Sequence, residues 1–137
     1  MSKDVQPLVS LFRLGISIHN FNKKSEEKVG LSLVQWCLLE QLIDMPGTSA
    51  HALAKSVGIH PSTLTQTLKR LEKKGFLFQA EDPKDSRKKI ISITIHGKQA
   101  MERIASQKKD WTKCLTPVSN DLQKLNAVLQ AMVNYGS

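Results

Sequence analysis

The chain has 137 residues, 40% of them apolar, and a formal net charge of +8. That length suits one domain with a modest core, and that apolar fraction excludes an unfolded chain. No apolar run reaches the length of a membrane span, and "MSKDVQPLVSLF" lacks the pattern of a signal peptide, so a cytoplasmic protein is expected.

Residues 5–28 place Leu8, Leu11, Phe12, Gly15, Ile16, Ile18 and Phe21 mostly three and four apart, the pattern of an amphipathic helix. "VGLS" ends it. A second helix is predicted over 32–45, with Leu33, Trp36, Leu39, Leu42 and Ile43 on its buried side, and "MPG" stops it. Ser49 can cap a short third helix through "AHALAKSV", with Gly58 as its C-terminal turn residue. His60 precedes Pro61, a residue favoured in a first helical turn, so a fourth helix starts near 61 and stops at Gly75.

Then the period changes. "FLFQAED" and "KKIISITI" read as two strands of an antiparallel hairpin, joined by a charged turn, "PKDSRKK". Thr94 is a plausible cap for one long fifth helix, "HGKQAMERIASQKKDWTKC". Thr116 and Pro117 open a sixth, in which Val118, Leu122, Leu125, Leu129 and Met132 form a seam-like stripe. Cys37 and Cys114 lack both CxxC spacing and a His at metal-ligand spacing; lying in apolar helical patterns, they are expected to be small core residues.

Between Lys55 and Lys89 stand nine basic residues and four acidic ones. Such a segment favours a polyanionic partner. Two short helices, a tight turn and a hairpin together make a winged helix-turn-helix, whose second helix enters the major groove of DNA. At 100° per residue Leu64, Leu68 and Leu71 share the core face of the fourth helix. Ser62, Gln66, Lys69 and Lys73 point away from it, with Thr63 and Arg70 on the flank. Gln can pair with an adenine edge, hydroxyls can bond bases or phosphates, and Lys and Arg neutralise backbone charge. Ser49, Thr65 and the wing residues Lys84, Asp85, Arg87 and Lys88 complete the candidate DNA-binding set.

Through "LSLVQWCLLEQL", "ALAKSVGIHPSTLTQTLKRLEKKGF", "DPKDSRKK" and "ITIHGKQ" the chain resembles the MarR family of bacterial transcriptional regulators over nearly its whole length. The most specific match is Asp85-Ser86-Arg87, followed by the strand that ends at Thr94 and Gly97. The resemblance implies that Arg87 reaches the minor groove and Asp85 holds the wing tip. It implies a mainly α fold with a small β-hairpin wing, as one domain over 1–137. Residues 32–95 form its winged helix-turn-helix, and 5–28 and 96–135 its dimerisation helices.

The function so implied is a homodimeric regulator, a repressor type, bound to a pseudo-palindromic operator in double-stranded DNA and released by a small phenolic or aromatic effector. Three positions depart from the family pattern: Gln66 where many relatives carry Arg, His60 where Asp or Ser often caps, and Lys69 where an acid is common. His60 reads as a bland first-turn residue. The implied effector site is lined by Phe12, Ile16, His19, Trp36 and Cys37. The family's oxidation sensors use a cysteine in the first helix, which this chain lacks.

The implied dimer agrees with the apolar residues of the first, fifth and sixth helices: Leu8, Phe12, Met101, Ile104, Trp111, Leu122, Leu125, Leu129 and Met132. They exceed what a small winged domain covers; the alternative is a larger self-contained core, and the dimer is the expected reading. No Gly-rich phosphate loop, metal-ligand cluster or Ser-His-Asp arrangement supports an enzyme, and no cofactor or metal is expected. The rival reading is a winged-helix module that docks an acidic protein. Ser62, Gln66 and Arg87 favour DNA over it, since a protein-docking face is expected to show aromatic anchors. A membrane-surface role is disfavoured because the basic helix lacks an exposed aromatic face.

Overall fold

The computed structural model describes residues 2–134. Met1 and residues 135–137, on which the outer limits of the expected domain fall, lie outside them. The chain divides into two compact units, one running to Met101 and the other starting at Glu102.

In the first unit a 3-10 turn, Lys3–Val5, leads into helix α1, Gln6–Val29. Gly30, at φ +79°, ends α1 by donating its N–H to Glu26 O at 2.9 Å. Two side chains tie the C-terminal turns of α1 to the next segment. Ser25 Oγ donates to Leu31 O at 2.6 Å, and Leu33 N donates to Asn22 Oδ1 at 2.8 Å. Ser25 is the only buried residue of α1.

Helix α2, Leu33–Asp44, starts in a capping box: Ser32 Oγ accepts from Gln35 N, and Gln35 Oε1 accepts from Ser32 N. The Ser-x-x-Gln spacing is a known N-terminal signature. Trp36, Leu38, Leu39 and Leu42 are buried. Leu38 replaces two expected core positions, since Leu33 is half-buried and Ile43 is exposed. Cys37 is also exposed, as is Cys114, so neither is the expected core residue. Leu38 and Leu39 fill the buried arc, and Cys37 falls outside it.

A two-residue strand β1, Thr48–Ser49, runs into helix α3, Ala50–Val57. Ser49 caps α3 by accepting from Ala52 N at 3.1 Å, and Gly58 ends it at φ +78°. Helix α4, Pro61–Lys73, comes next, then strands β2, Leu77–Asp82, and β3, Asp85–Ile93. The strand order is β1-β3-β2, all antiparallel, so the expected hairpin is in fact a three-stranded sheet. The core is made by Leu31, Leu38, Leu39, Leu42, Leu53, Leu64, Leu68, Leu71, Leu77 and Ile91. Each such side chain contributes about 1.5–3 kcal/mol by leaving water.

Helix α5, Ile95–Arg103, is fixed at its start by Thr94. Thr94 Oγ1 accepts from Gly97 N at 3.0 Å and donates to Gly75 O, while Thr94 N donates to Phe76 O. A Cβ on Gly97 would overlap Phe76 O and Ile93 Cγ1, so only glycine fits against the base of the hairpin.

The expected single fifth helix is two. Ile104, buried and β-branched, leaves the helical basin at φ −101° and ψ 8°. Helix α6 then runs over Ala105–Leu115, a 3-10 turn over Thr116–Val118 and helix α7 over Ser119–Asn134. No buried residue occurs in α6 or α7. Among the described residues no helix is long and apolar enough to cross a membrane.

Candidate nucleic-acid interface

Helix α4 divides by period. Leu64, Thr67, Leu68 and Leu71 are buried, whereas Ser62, Thr63, Thr65, Gln66, Lys69, Arg70 and Lys73 are exposed. Residues 62, 66, 69 and 73 recur every three or four positions and so share one stripe opposite the leucines. Two threonine hydroxyls turn back into the helix: Thr65 Oγ1 donates to Pro61 O at 3.0 Å, and Thr67 Oγ1 to Thr63 O at 2.8 Å.

His60 is more than the bland first-turn residue expected. It is the N-cap of α4, its Nδ1 accepting from Ser62 N at 3.2 Å and lying 2.8 Å from Ser62 Oγ. An imidazole with a free Nδ1 lone pair substitutes here for the usual carboxylate or hydroxyl cap.

The hairpin tip is tighter than the expected seven-residue turn. Only Pro83 and Lys84 separate β2 from β3, and Lys84 N donates to Asp82 Oδ1 at 2.9 Å. The strand register jumps from Asp82↔Asp85 to Glu81↔Lys89. Ser86, Arg87 and Lys88 thus have no partner on β2 and bulge from the ladder, and all three are exposed. Asp85 Oδ1 accepts from Arg87 N at 3.1 Å and from Arg87 Nε at 3.2 Å. The Arg87 guanidinium and backbone N–H hold the Asp85 carboxyl below its usual 3.8, with a smaller effect from the Lys88 charge. The Arg87 side chain is nevertheless 89% exposed.

A cleft of about 530 Å³ lies between the start of α3, helix α4 and the wing. It brings together the expected Ser49, Thr65, Arg87 and Lys88 and adds His51, Gln79 and Lys89, which sequence reasoning left out. The alternation of β3 held a signal for Lys89, two residues beyond Arg87; His51 had one in its place directly behind the Ser49 cap. Glu72 on α4 ties helix to wing, its Oε2 accepting from Gln79 N at 3.1 Å. Ser62, Thr63, Gln66 and Lys69 lie outside the cleft on the open face, and Lys84 sits at the turn. Among the described residues Lys69, Arg70, Lys73, Lys84, Lys88 and Lys89 form no ion pair.

The residues expected to line an effector site are scattered in exposure. Phe12, Ile16 and His19 lie exposed along one stripe of α1, Trp36 is buried in the core of the first unit, and Cys37 is exposed. The protein around the Cys37 sulfur, and then the Glu40 carboxylate, push its thiol above the ordinary range, which disfavours the reactive thiolate. Of the residues offered for a dimer, Leu8 and Phe12 are 58% and 69% exposed, and Leu122 and Met132 are exposed too. Trp111, Leu125 and Leu129 are half-buried. Met101 and Ile104 are buried within the chain itself and so do not belong to the uncovered set.

The sequence pattern of the MarR family matches residues 29–88, from the end of α1 to the wing tip. The chain is 31% identical over 98 residues to the uncharacterised helix-turn-helix-type transcriptional regulator YxaD of Bacillus subtilis, covering 65% of this chain and 68% of that one. It is 24% identical over 131 residues to the homoprotocatechuate degradative operon repressor of Escherichia coli, covering 94% and 82%. It spans 56% and 51% of the length of two further Bacillus subtilis regulators, to which it is 31% and 34% identical. Among solved structures, the fold is shared with Staphylococcus aureus MepR in complex with DNA, at a TM-score of 0.71 and 22% identity, covering 91% of this chain and 95% of that one.

Proposed function

Because the chain belongs to the MarR family of transcriptional regulators, we propose that it acts as a homodimer that binds a pseudo-palindromic operator in double-stranded DNA. The observation that carries this reading is the joint display of an exposed Ser62-Gln66-Lys69-Lys73 stripe on α4 and an exposed Arg87 at a bulged wing tip. The stripe presents a hydroxyl, an amide and two cations to a major groove, where Gln66 can pair with adenine N6 and N7. Arg87 is offered to the neighbouring minor groove. Lys84, Lys88 and Lys89 stand ready for phosphates, each neutralised contact steepening the salt dependence. A protein regulating transcription this way works where the chromosome is, in the cytoplasm of a bacterium.

A dimer is supported by the uncovered apolar residues of α1 and, separately, of α7. Two copies related by a two-fold axis meet two half-sites about one helical turn apart. The Escherichia coli relative is named as repressor of a homoprotocatechuate degradative operon. That name supports repression and a phenolic effector here, with Phe12, Ile16 and His19 of α1 and Trp36 and Cys37 of α2 as its candidate contacts.

The test is selection of bound duplexes from random and genomic fragments, with fluorescence anisotropy over a salt series and with phenolic acids added. The reading expects an inverted-repeat motif, a steep salt slope and release by at least one such acid. Failure of the chain to enrich any duplex at low salt would overturn DNA binding. Enrichment without release by any phenolic acid would overturn the effector alone.

A further inference from the structure

The α4 helix has two flanks. One, through Thr65, meets the wing cleft. The other borders a separate open groove of about 640 Å³, lined by Glu26 and Gly30 at the end of α1, Gln35 on α2, and Arg70, Lys73 and Lys74 at the end of α4. Three cations face one carboxylate there.

Cations at a helix C-terminus are ordinary, since they complement its dipole. Lys74 departs from that account. Its ammonium bonds no carbonyl of its own helix. It donates instead to Gly30 O at 2.9 Å and to Gln35 Oε1 at 3.2 Å, both uncharged acceptors. An ammonium has three donors, and these two bonds use two of them. Gln35 is 5% exposed and is itself held by the capping box, so the acceptor that positions Lys74 is held in turn by the chain. Among the described residues neither Arg70, Lys73 nor Lys74 is in an ion pair. The groove therefore holds a fixed ammonium with a spare donor beside a guanidinium and a second ammonium. Only Glu26 opposes them in the groove, and among the described residues it too is in no ion pair.

We propose that this groove is a binding site for a phosphate group, with Lys74 as its fixed point and Arg70 and Lys73 closing over the anion. A free phosphate or phosphomonoester, with close to two negative charges, matches the surplus, and a backbone diester neutralises half of it; in either case the oxygens accept from a guanidinium fork and ammonium groups together. The group has two sources: a free phosphate or phosphomonoester, or the backbone of the duplex that α4 is proposed to read. The second source rests on that reading; the first does not.

The experiment uses the full chain, with Lys74→Gln and Glu26→Gln variants whose folding is checked by circular dichroism. In one arm inorganic phosphate is titrated at constant ionic strength while the amide resonances of Gly30 and Lys74 are followed. Saturating shifts that vanish in Lys74→Gln, and that occur at several-fold lower phosphate in Glu26→Gln, assign a free phosphate. In the other arm duplex affinity is measured against salt. A salt slope shallower by about 0.9 in Lys74→Gln, the expected loss of one phosphate contact, with tighter binding in Glu26→Gln, assigns the DNA backbone. If phosphate gives no saturating shift and neither variant alters the salt series, the proposal is overturned. Glu26→Gln decides even if Lys74→Gln fails to fold, because it is read in the opposite direction. Wild-type protein that binds no duplex defeats the DNA reading but leaves the phosphate titration fully informative.

Discussion

Asp85 holds Arg87 twice, by the backbone N–H and by Nε, so the guanidinium is aimed before any DNA arrives. Arg87→Ala is expected to weaken binding to every duplex and to make the salt slope shallower by about 0.9, leaving the fold unchanged. Equal affinities of the two proteins across a salt series would remove Arg87 from the interface. Asp85→Ala keeps the Arg87 charge but removes the oxygen that accepts from both Arg87 N and Nε, so it should cost less affinity than Arg87→Ala. The lowered Asp85 carboxyl sets the pH dependence. Its contribution to the tip is fully present above its ordinary value near 3.8 and is lost as pH falls through the still lower folded value. The Arg87 Nε resonance should therefore hold constant through neutral pH and move only below about pH 4. At Gln66 the expectation concerns sequence. Leu64 and Leu68 fix the roll of α4 and turn residue 66 outward. Gln66→Arg should shift preference at one base pair per half-site from adenine toward guanine, by about 1–3 kcal/mol. Superimposable selection motifs for the two proteins would confine Gln66 to phosphate or water.

Among the elements, α5 is held closely at its start. Its first turn carries Gly97 against the Phe76 carbonyl, and Thr94 joins that turn to Gly75. Gly97→Ala puts a methyl group where a backbone atom already lies. It should destabilise the first unit by about 1–3 kcal/mol or more, seen as a lowered melting temperature. A melting curve unchanged from wild type would mean that α5 slides off the hairpin freely. Thr94 was legible in the sequence because a cap leaves a local mark, and so were Ser49, Gly58 and the leucine stripe of α4, whereas Gly97 stood out only through the family resemblance. Other features left no such mark. Strand β1 has two residues, too few to alternate. The α5–α6 break falls at Ile104 with neither proline nor glycine beside it. His60 caps with a side chain that cap statistics do not favour. Periodicity found the apolar stripes but not what covers them, which is why Cys37 and Ile43 turned out exposed and Met101 and Ile104 buried. For the candidate site, the residues of α4 and the wing were readable one by one. The bulge that frees Arg87 was not, because strand register depends on the partner strand.

For the whole molecule the decisive fact is what a single chain leaves uncovered. Helix α1 has one buried residue in twenty-four, and Leu8, Phe12, Ile16 and Ile18 stand exposed on it. Helix α7 has none buried, with Leu122, Val128, Met132 and Val133 exposed. Apolar side chains left exposed on each of these helices support the proposed association of two copies. Leu125 and Leu129 are half-buried on α7 and lie in its stripe, so a second copy would complete their burial. Finishing the burial of a leucine yields at most about 1.5–3 kcal/mol, and a symmetric interface counts each residue twice. Changing both to Asp reverses that gain and adds charges that must be desolvated for the copies to meet. The double variant is expected to sediment as a monomer or to become insoluble. Where it stays soluble, circular dichroism should show the helices of the first unit intact, since neither residue is in that unit. Its affinity for a two-half-site duplex should drop to that for a single half-site, because linkage of two contacts is what raises the first above the second. A parent chain that sediments as a monomer at micromolar concentration would sink the dimer. A variant that stays dimeric would move the interface off the Leu125–Leu129 stripe.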